Sequence, residues 1–152
     1  MYSHARYQAH KYTLHNSAVD LTGSPADILA IPCIWPAVRF LYLGLIAQAA
    51  FPAAVTMTTV PVVSLDKVQV SDGERVQMGT VSPDYSQADN VVKQTDLNSN
   101  ASDIHAIGDW PTALVGDEII LEHKTAGVGG TQSAKLFYIF QEIETEDADA
   151  NV

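Results

Sequence analysis

Two runs toward the C-terminal end alternate in a way that predicts strands. In Leu114–Lys124, Val115, Asp117, Ile119, Leu121 and His123 share one side of an extended chain, and Gly116, Glu118, Ile120, Glu122 and Lys124 share the other, because strand side chains alternate with period two. The first side is the more apolar and is expected to face a core. Lys135–Ile143 contains Leu136, Phe137, Tyr138, Ile139 and Phe140, bulky or branched residues that suit a pleated surface. Phe137, Ile139 and Ile143 are expected inward. The intervening 125–134 holds Gly127, Gly129 and Gly130, a composition that tolerates positive φ. Together the three pieces predict a long hairpin with an exposed tip.

Upstream, Ala26–Cys33 and Ala37–Phe51 are strongly apolar. Val38, Phe40, Tyr42, Gly44, Ile46 and Gln48 alternate with Arg39, Leu41, Leu43, Leu45 and Ala47, so both faces need cover, one from the core and one from a neighbouring layer or subunit. A buried helix is the alternative for the alanine-rich second half. Val55–Val63 and Val68–Val70 continue the β-branched series around a turn-like Ser64–Lys67, and Asp72–Glu74 is expected to turn a hairpin between Val68–Ser71 and Arg75–Val81. Short apolar runs bounded by Pro52, Pro61 and Asp72–Gly73 predict an all-β sandwich. The polar Ser82–Asp103 reads as a long surface excursion. The chain divides into an extended arm over 1–25, a β domain over 26–144 and an acidic tail over 145–152.

Composition narrows the function classes. A chain of 152 residues makes one domain that buries roughly two thirds of its unfolded surface. Charged residues are 17% of the total, below the roughly 25% of an ordinary soluble protein, which implies that partners hide some surface. A net charge of −10 without a long basic run argues against direct nucleic-acid binding. The apolar 26–55 stretch is interrupted by Pro32, Pro36, Arg39 and Pro52, and its uncharged part is shorter than the roughly 20 residues of a membrane span. No membrane association is expected, and the polar Met1–His15 does not read as a secretory leader. The single cysteine, Cys33, sits among Ile31, Pro32, Ile34 and Trp35 and reads as a small buried hydrophobe.

The candidate chemistry is sparse. Asp103, His105, Asp109, Asp117, Glu118, Glu122 and His123 offer metal-ligand types, yet they better suit an ordinary solvated rim. Ser86 and Ser102 lack a glycine-flanked strand-to-helix elbow, and the 127–130 glycines lack the ending of a phosphate loop. The chain is therefore expected not to be an enzyme and to need no cofactor. Trp110, fixed in extended geometry by Pro111, is either a lid on the core or a ligand-stacking ring. Tyr2, Tyr7 and Tyr12, five residues apart, fit neither a helix face nor a strand face, and suggest either a loose terminus or an extended arm docking on another subunit.

Trp110–Pro111, Leu114–Lys124, the Gly127–Gly130 tip and Lys135–Glu144 together resemble part of the capsid decoration, or cement, proteins of tailed bacteriophages. The resemblance covers the last 40 residues or so and implies a jelly-roll-like sandwich on the virion exterior, assembled in the host cytoplasm. It implies a homotrimer that clamps subunits of a major capsid protein at their seams. On this reading Tyr2, Tyr7, Tyr12, Phe40, Leu41, Leu43, Leu45, Gly129 and Gly130 form the assembly interface. The competing expectations are a carbohydrate- or small-ligand-binding sandwich using Trp110, and a cupin-like metalloenzyme, which requires at least three convergent ligands.

Overall fold

The apolar run Ala37–Ala47 forms the middle strand of a sheet, as its two-sided hydrophobicity requires. The computed structural model describes residues 9–97 and 110–143. Within them lie strands β1 (Lys11–Asp20), β2 (Ala26–Pro32), β3 (Ala37–Ala47), β4 (Val62–Val68), β5 (Arg75–Val81), β6 (Val92–Asp96), β7 (Thr112–Leu114), β8 (Glu118–Thr125) and β9 (Ser133–Glu142). Sheet A has the order β1-β9-β3-β6, with β7 also paired to β3, and sheet B the order β2-β8-β4-β5. All pairings are antiparallel. A chain that passes back and forth between a five-stranded and a four-stranded antiparallel sheet in this order is jelly-roll-like, so the expected all-β, jelly-roll-like sandwich holds.

Three sequence expectations change. Leu114–Lys124 and Lys135–Ile143 are not a hairpin: β8 pairs with β2 and β4 in sheet B, while β9 pairs with β1 and β3 in sheet A. The glycine-rich segment therefore crosses between the sheets. Ser64–Lys67 is the interior of β4, where Ser64 and Asp66 face outward between the inward Val63 and Leu65. Lys67 points its Nζ to the Thr112 carbonyl at 2.6 Å, and burial holds its ammonium below the usual lysine range. Finally, Lys11–Asp20 of the expected arm is the edge strand β1, and Val92–Asp96 of the expected excursion is β6. Asp72–Glu74 does turn the β4–β5 hairpin, with Gly73 at φ 75°.

The core between the sheets takes Val38, Phe40, Leu43, Leu45 and Ala47 from β3, and Leu136, Tyr138 and Phe140 from β9. Opposite them lie Val63 and Leu65 of β4, Met78 and Val81 of β5, and Ile119 and Leu121 of β8. Fully burying each large apolar side chain is worth about 1.5–3 kcal/mol. The inward set of β3 changes phase because the register slips by one between Phe40, opposite Phe140, and Tyr42, opposite Ile139. This bulge turns Val38 and Phe40 inward before it and Leu43, Leu45 and Ala47 inward after it. The outward face of sheet B is polar. Arg75 Nε donates to Asp66 at 2.8 Å, and its terminal nitrogen reaches Asp27 at 2.9 Å and Glu122 at 3.4 Å. The hydrogen bond from Arg75 holds the Asp27 carboxyl below its ordinary range.

Each end of the sandwich is closed by a different device. At one end the four crossings 21–25, 48–61, 82–91 and 126–132 bind one another through Leu21 N to Gln132 O (2.7 Å), Thr58 N to Val128 O (2.9 Å) and Phe51 N to Gln87 O (2.8 Å). At the other, the buried carboxylate of Asp117 accepts from Val70 N and Leu114 N, both at 2.9 Å, while its carbonyl accepts from Cys33 N at 2.7 Å. Removing that carboxylate strands two backbone donors, each costing roughly 1–3 kcal/mol. Asp117→Ala is expected to lower the unfolding free energy by about 2–4 kcal/mol. Urea unfolding checks this; a loss within error of zero would show that water satisfies the two amides.

Candidate functional site

The outward face of sheet A is the opposite of sheet B's, and its chemistry follows from the register. Pairing places Tyr12 beside Ile139, Leu14 beside Phe137, Phe137 beside Gly44, Tyr42 beside Ile139 and Ile46 beside Val92. Paired residues share a face, so Tyr12, Leu14, Phe137, Ile139, Tyr42, Ile46 and Val92 form one apolar and aromatic band, bordered on the same face by Lys135, Gln94 and Asp96. Tyr12 is 73% exposed and Val92 51%. Gly44 shapes the centre of the band, because a Cβ there would run into the Phe137 ring. Without it the ring lies flat across β3, a close approach of the kind that strand glycines permit.

The residues expected to form the interface scatter. Phe40, Leu43 and Leu45 are core residues, at most 1% exposed, and are turned inward by the bulge in β3, so in the folded domain they touch no partner. Leu41, at the bulge itself, is buried on the outward side beside Arg39 and Tyr42. Tyr12 lies in the band, while Tyr2 and Tyr7 lie outside the described residues. Phe137 and Ile139, expected inward, belong to the outward face; Leu136, Tyr138 and Phe140 take the core positions. The band residues were missed because alternation shows which side chains share a face without showing which face is inside. Gly44 opposite an aromatic residue was the available signal.

Gly129 and Gly130 are not the tip of a hairpin, although Gly130 is exposed and Gly129 half-buried. Their φ angles are 102° and 70°, a region that other residues rarely adopt. A Cβ on Gly129 would collide with the Thr56 carbonyl, and one on Gly130 would lie 2.6 Å from Pro52 Cγ. The loop is packed onto the 48–61 crossing, and Gln132 Nε2 donates to Gly129 O at 2.7 Å.

Trp110 is half-buried against the core, and the Arg39 guanidinium lies 5.6 Å from its ring centroid, a cation–π distance. The two residues border a cleft of about 180 Å³ with His10, Leu41, Tyr42 and Gln141. Trp110 thus acts as a lid with a cation over its ring. Of the metal-ligand types, Asp103, His105 and Asp109 lie outside the described residues. Asp117 is spent on backbone amides, Glu122 faces Arg75 on the outside of sheet B, and His123 is buried at 1% exposure. Among the described residues no group of three or more His, Cys, Asp or Glu is arranged to hold a metal ion. Cys33 is a free, buried thiol, pushed up from its ordinary pKa by burial.

No family model and no curated protein matches the chain. Among solved structures it is similar to the infectious bursal disease virus Gx strain, with 7% identity over 91% of this chain and 31% of that one, at a TM-score of 0.33. It is also similar to the Gt strain, with 8% identity over 95% and 42% at 0.25, and to the VP2 subviral particle of the same virus, with 7% identity over 95% and 41% at 0.25. The chain spans less than half the length of these proteins. Likenesses at this level add nothing to the fold, which rests on the strand order. The matching structures are not those of a tailed bacteriophage, and the hairpin behind that resemblance does not form, so the assignment to tailed-phage decoration proteins does not hold.

The packed glycines give the next expected outcome. Gly129→Ala is expected to cost about 2 kcal/mol or more through a strained φ and a backbone collision, read as a lowered urea midpoint. A stability within about 0.5 kcal/mol of the parent protein would instead show that the 48–61 crossing yields freely.

Proposed function

We propose that this chain is a non-enzymatic structural protein of a virus particle, acting at the capsid exterior by burying the outward band of sheet A against a neighbouring subunit. The observation that carries the reading is the contrast between two outward sheet faces of one small domain. Sheet B presents the Arg75–Asp27–Asp66–Glu122 network, whereas sheet A presents Tyr12, Leu14, Tyr42, Phe137 and Ile139. A one-sided apolar face rimmed by polar residues is the pattern of an interaction face, and the low share of charged residues, 17%, fits a chain whose surface is partly covered.

Jelly rolls serve as capsid, lectin and cupin domains, and fold alone does not choose among them. The site chemistry favours the first. Arg39 occupies a face of Trp110 that a sugar ring would use, and among the described residues no group of three or more His, Cys, Asp or Glu is arranged to hold a metal ion. In this proposal the neighbour is a second copy around a trimer axis or a major capsid protein at a subunit seam. In either case the apolar centre supplies the stabilisation and the polar rim sets the register.

Ile139→Asp places a charge at the centre of the band, on the outward side of β9. It is expected to abolish self-association or particle binding while leaving the unfolding free energy within about 1 kcal/mol of the parent. Sedimentation across concentration and occupancy on purified particles measure the two partners separately. A parent protein that stays monomeric and never co-purifies with particles overturns the reading. Unchanged assembly in Ile139→Asp moves the interface off this face.

A further inference from the structure

Among the described residues, no strand pairing seals one side of the sandwich. β1 and β2 are edge strands of their own sheets, and between them a cavity of about 150 Å³ reaches into the core. Its walls come from both sheets: Ile31 and Ile119 from sheet B, Val38, Phe40, Tyr138 and Phe140 from sheet A, and Cys33 and Trp35 from the connecting segment. Ile34, 69% exposed, stands at the rim.

The walls are aromatic on one side. Trp35 meets Phe140 edge-on with centroids 5.2 Å apart, and Tyr138 lies 5.8 Å from both Phe40 and Phe140. Lys11 Nζ stands 5.8 Å from the Trp35 ring centroid and helps hold that wall. The polar exceptions converge. Thr13 of β1 and Tyr138 of β9 are cross-strand partners that both line the cavity, and Cys33 Sγ is within 3.5 Å of the Trp35 carbonyl. The Thr13 and Tyr138 hydroxyls can each donate one hydrogen bond and accept others. An apolar protein cavity of roughly 150 Å³ accommodates one benzene-sized ring.

We propose that this mouth between β1 and β2 is a binding site for a small molecule built on a single ring with one hydroxyl, of the phenol class. The ring would replace solvent against Ile31, Val38, Ile119 and Phe140, and its hydroxyl would join the Thr13–Tyr138 pair. The site lies between the sheets, apart from the outward band, and does not depend on what covers that band.

Cys33 is the only cysteine in the chain, so its modification reports on this wall alone. Phenol at 10 mM is expected to slow the reaction of native protein with methyl methanethiosulfonate about fivefold and to raise the thermal midpoint, as ligand binding to the folded state requires. Benzene is expected to need about a threefold higher concentration for the same protection, the worth of one hydrogen bond. Ile31→Phe, on the half-buried edge strand, fills the cavity and is expected to remove the phenol effect. If that variant does not fold, Thr13→Val serves instead and should reduce phenol to the benzene response. A modification rate indifferent to phenol overturns the proposal, as does equal protection by phenol in a folded Ile31→Phe. Equal potency of benzene and phenol removes the hydroxyl from the recognition.

Discussion

The structure depends on keeping one continuous row of β3 side chains against sheet B while the strand bends. A strictly alternating strand would send Val38, Phe40, Tyr42, Gly44 and Ile46 inward and leave Leu43 and Leu45 outside. The slip between Phe40 and Tyr42 exchanges the two sets midway, so the large residues on both sides of it reach the core. A bulge leaves one residue unpaired and increases the local twist. Here that cost is offset by burying Leu43 and Leu45 completely. The same slip decides what lies outside. Gly44 turns outward, Phe137 lies across it, and the band on sheet A becomes continuous from β1 to β6.

The slip also explains what the sequence could and could not show. Runs that form β2, β3, β5, β8 and β9 were legible because their branched and aromatic residues stand between proline and glycine punctuation. So was the turn at Gly73, where the chain needs a positive φ. The partner of each strand was not legible. Period two identifies the residues that share a face, but β8 and β9 have the composition of a hairpin whether they pair or cross between sheets. Packed sheets stand about 10 Å apart, a gap the 126–132 segment spans easily, and the crossing packs Gly129 against Thr56 and Gly130 against Pro52. Such fits between distant segments leave no local periodicity.

Polar strands were harder still. β1 and β6 lie at the edges of sheet A and alternate weakly, because an edge strand shares less of the core. Their sequences resemble an arm and a loop, and only pairing to β9 and β3 makes them strands. The interface residues followed the same logic: a doubly apolar strand suggested an external partner, whereas the bulge lets a single chain cover much of it. Tyr12, the one arm tyrosine within the described residues, lies on the band for a reason of register, not of arm geometry.

Closure of the two ends constrains how the sandwich can open. At one end, backbone bonds tie four crossings to one another, so disturbing any one of them exposes amides in another. At the other, the Asp117 carboxylate gathers segments from the β4–β5 turn and the β7–β8 turn, and its backbone carbonyl holds the β2–β3 turn. With both ends closed, the least tied direction is sideways, where β1 and β2 face each other without pairing. The cavity beside Trp35 lies on that side. Its position follows from the jelly-roll order itself, which leaves these two edge strands adjacent and unpaired, while the aromatic lining that makes the gap apolar is particular to this chain.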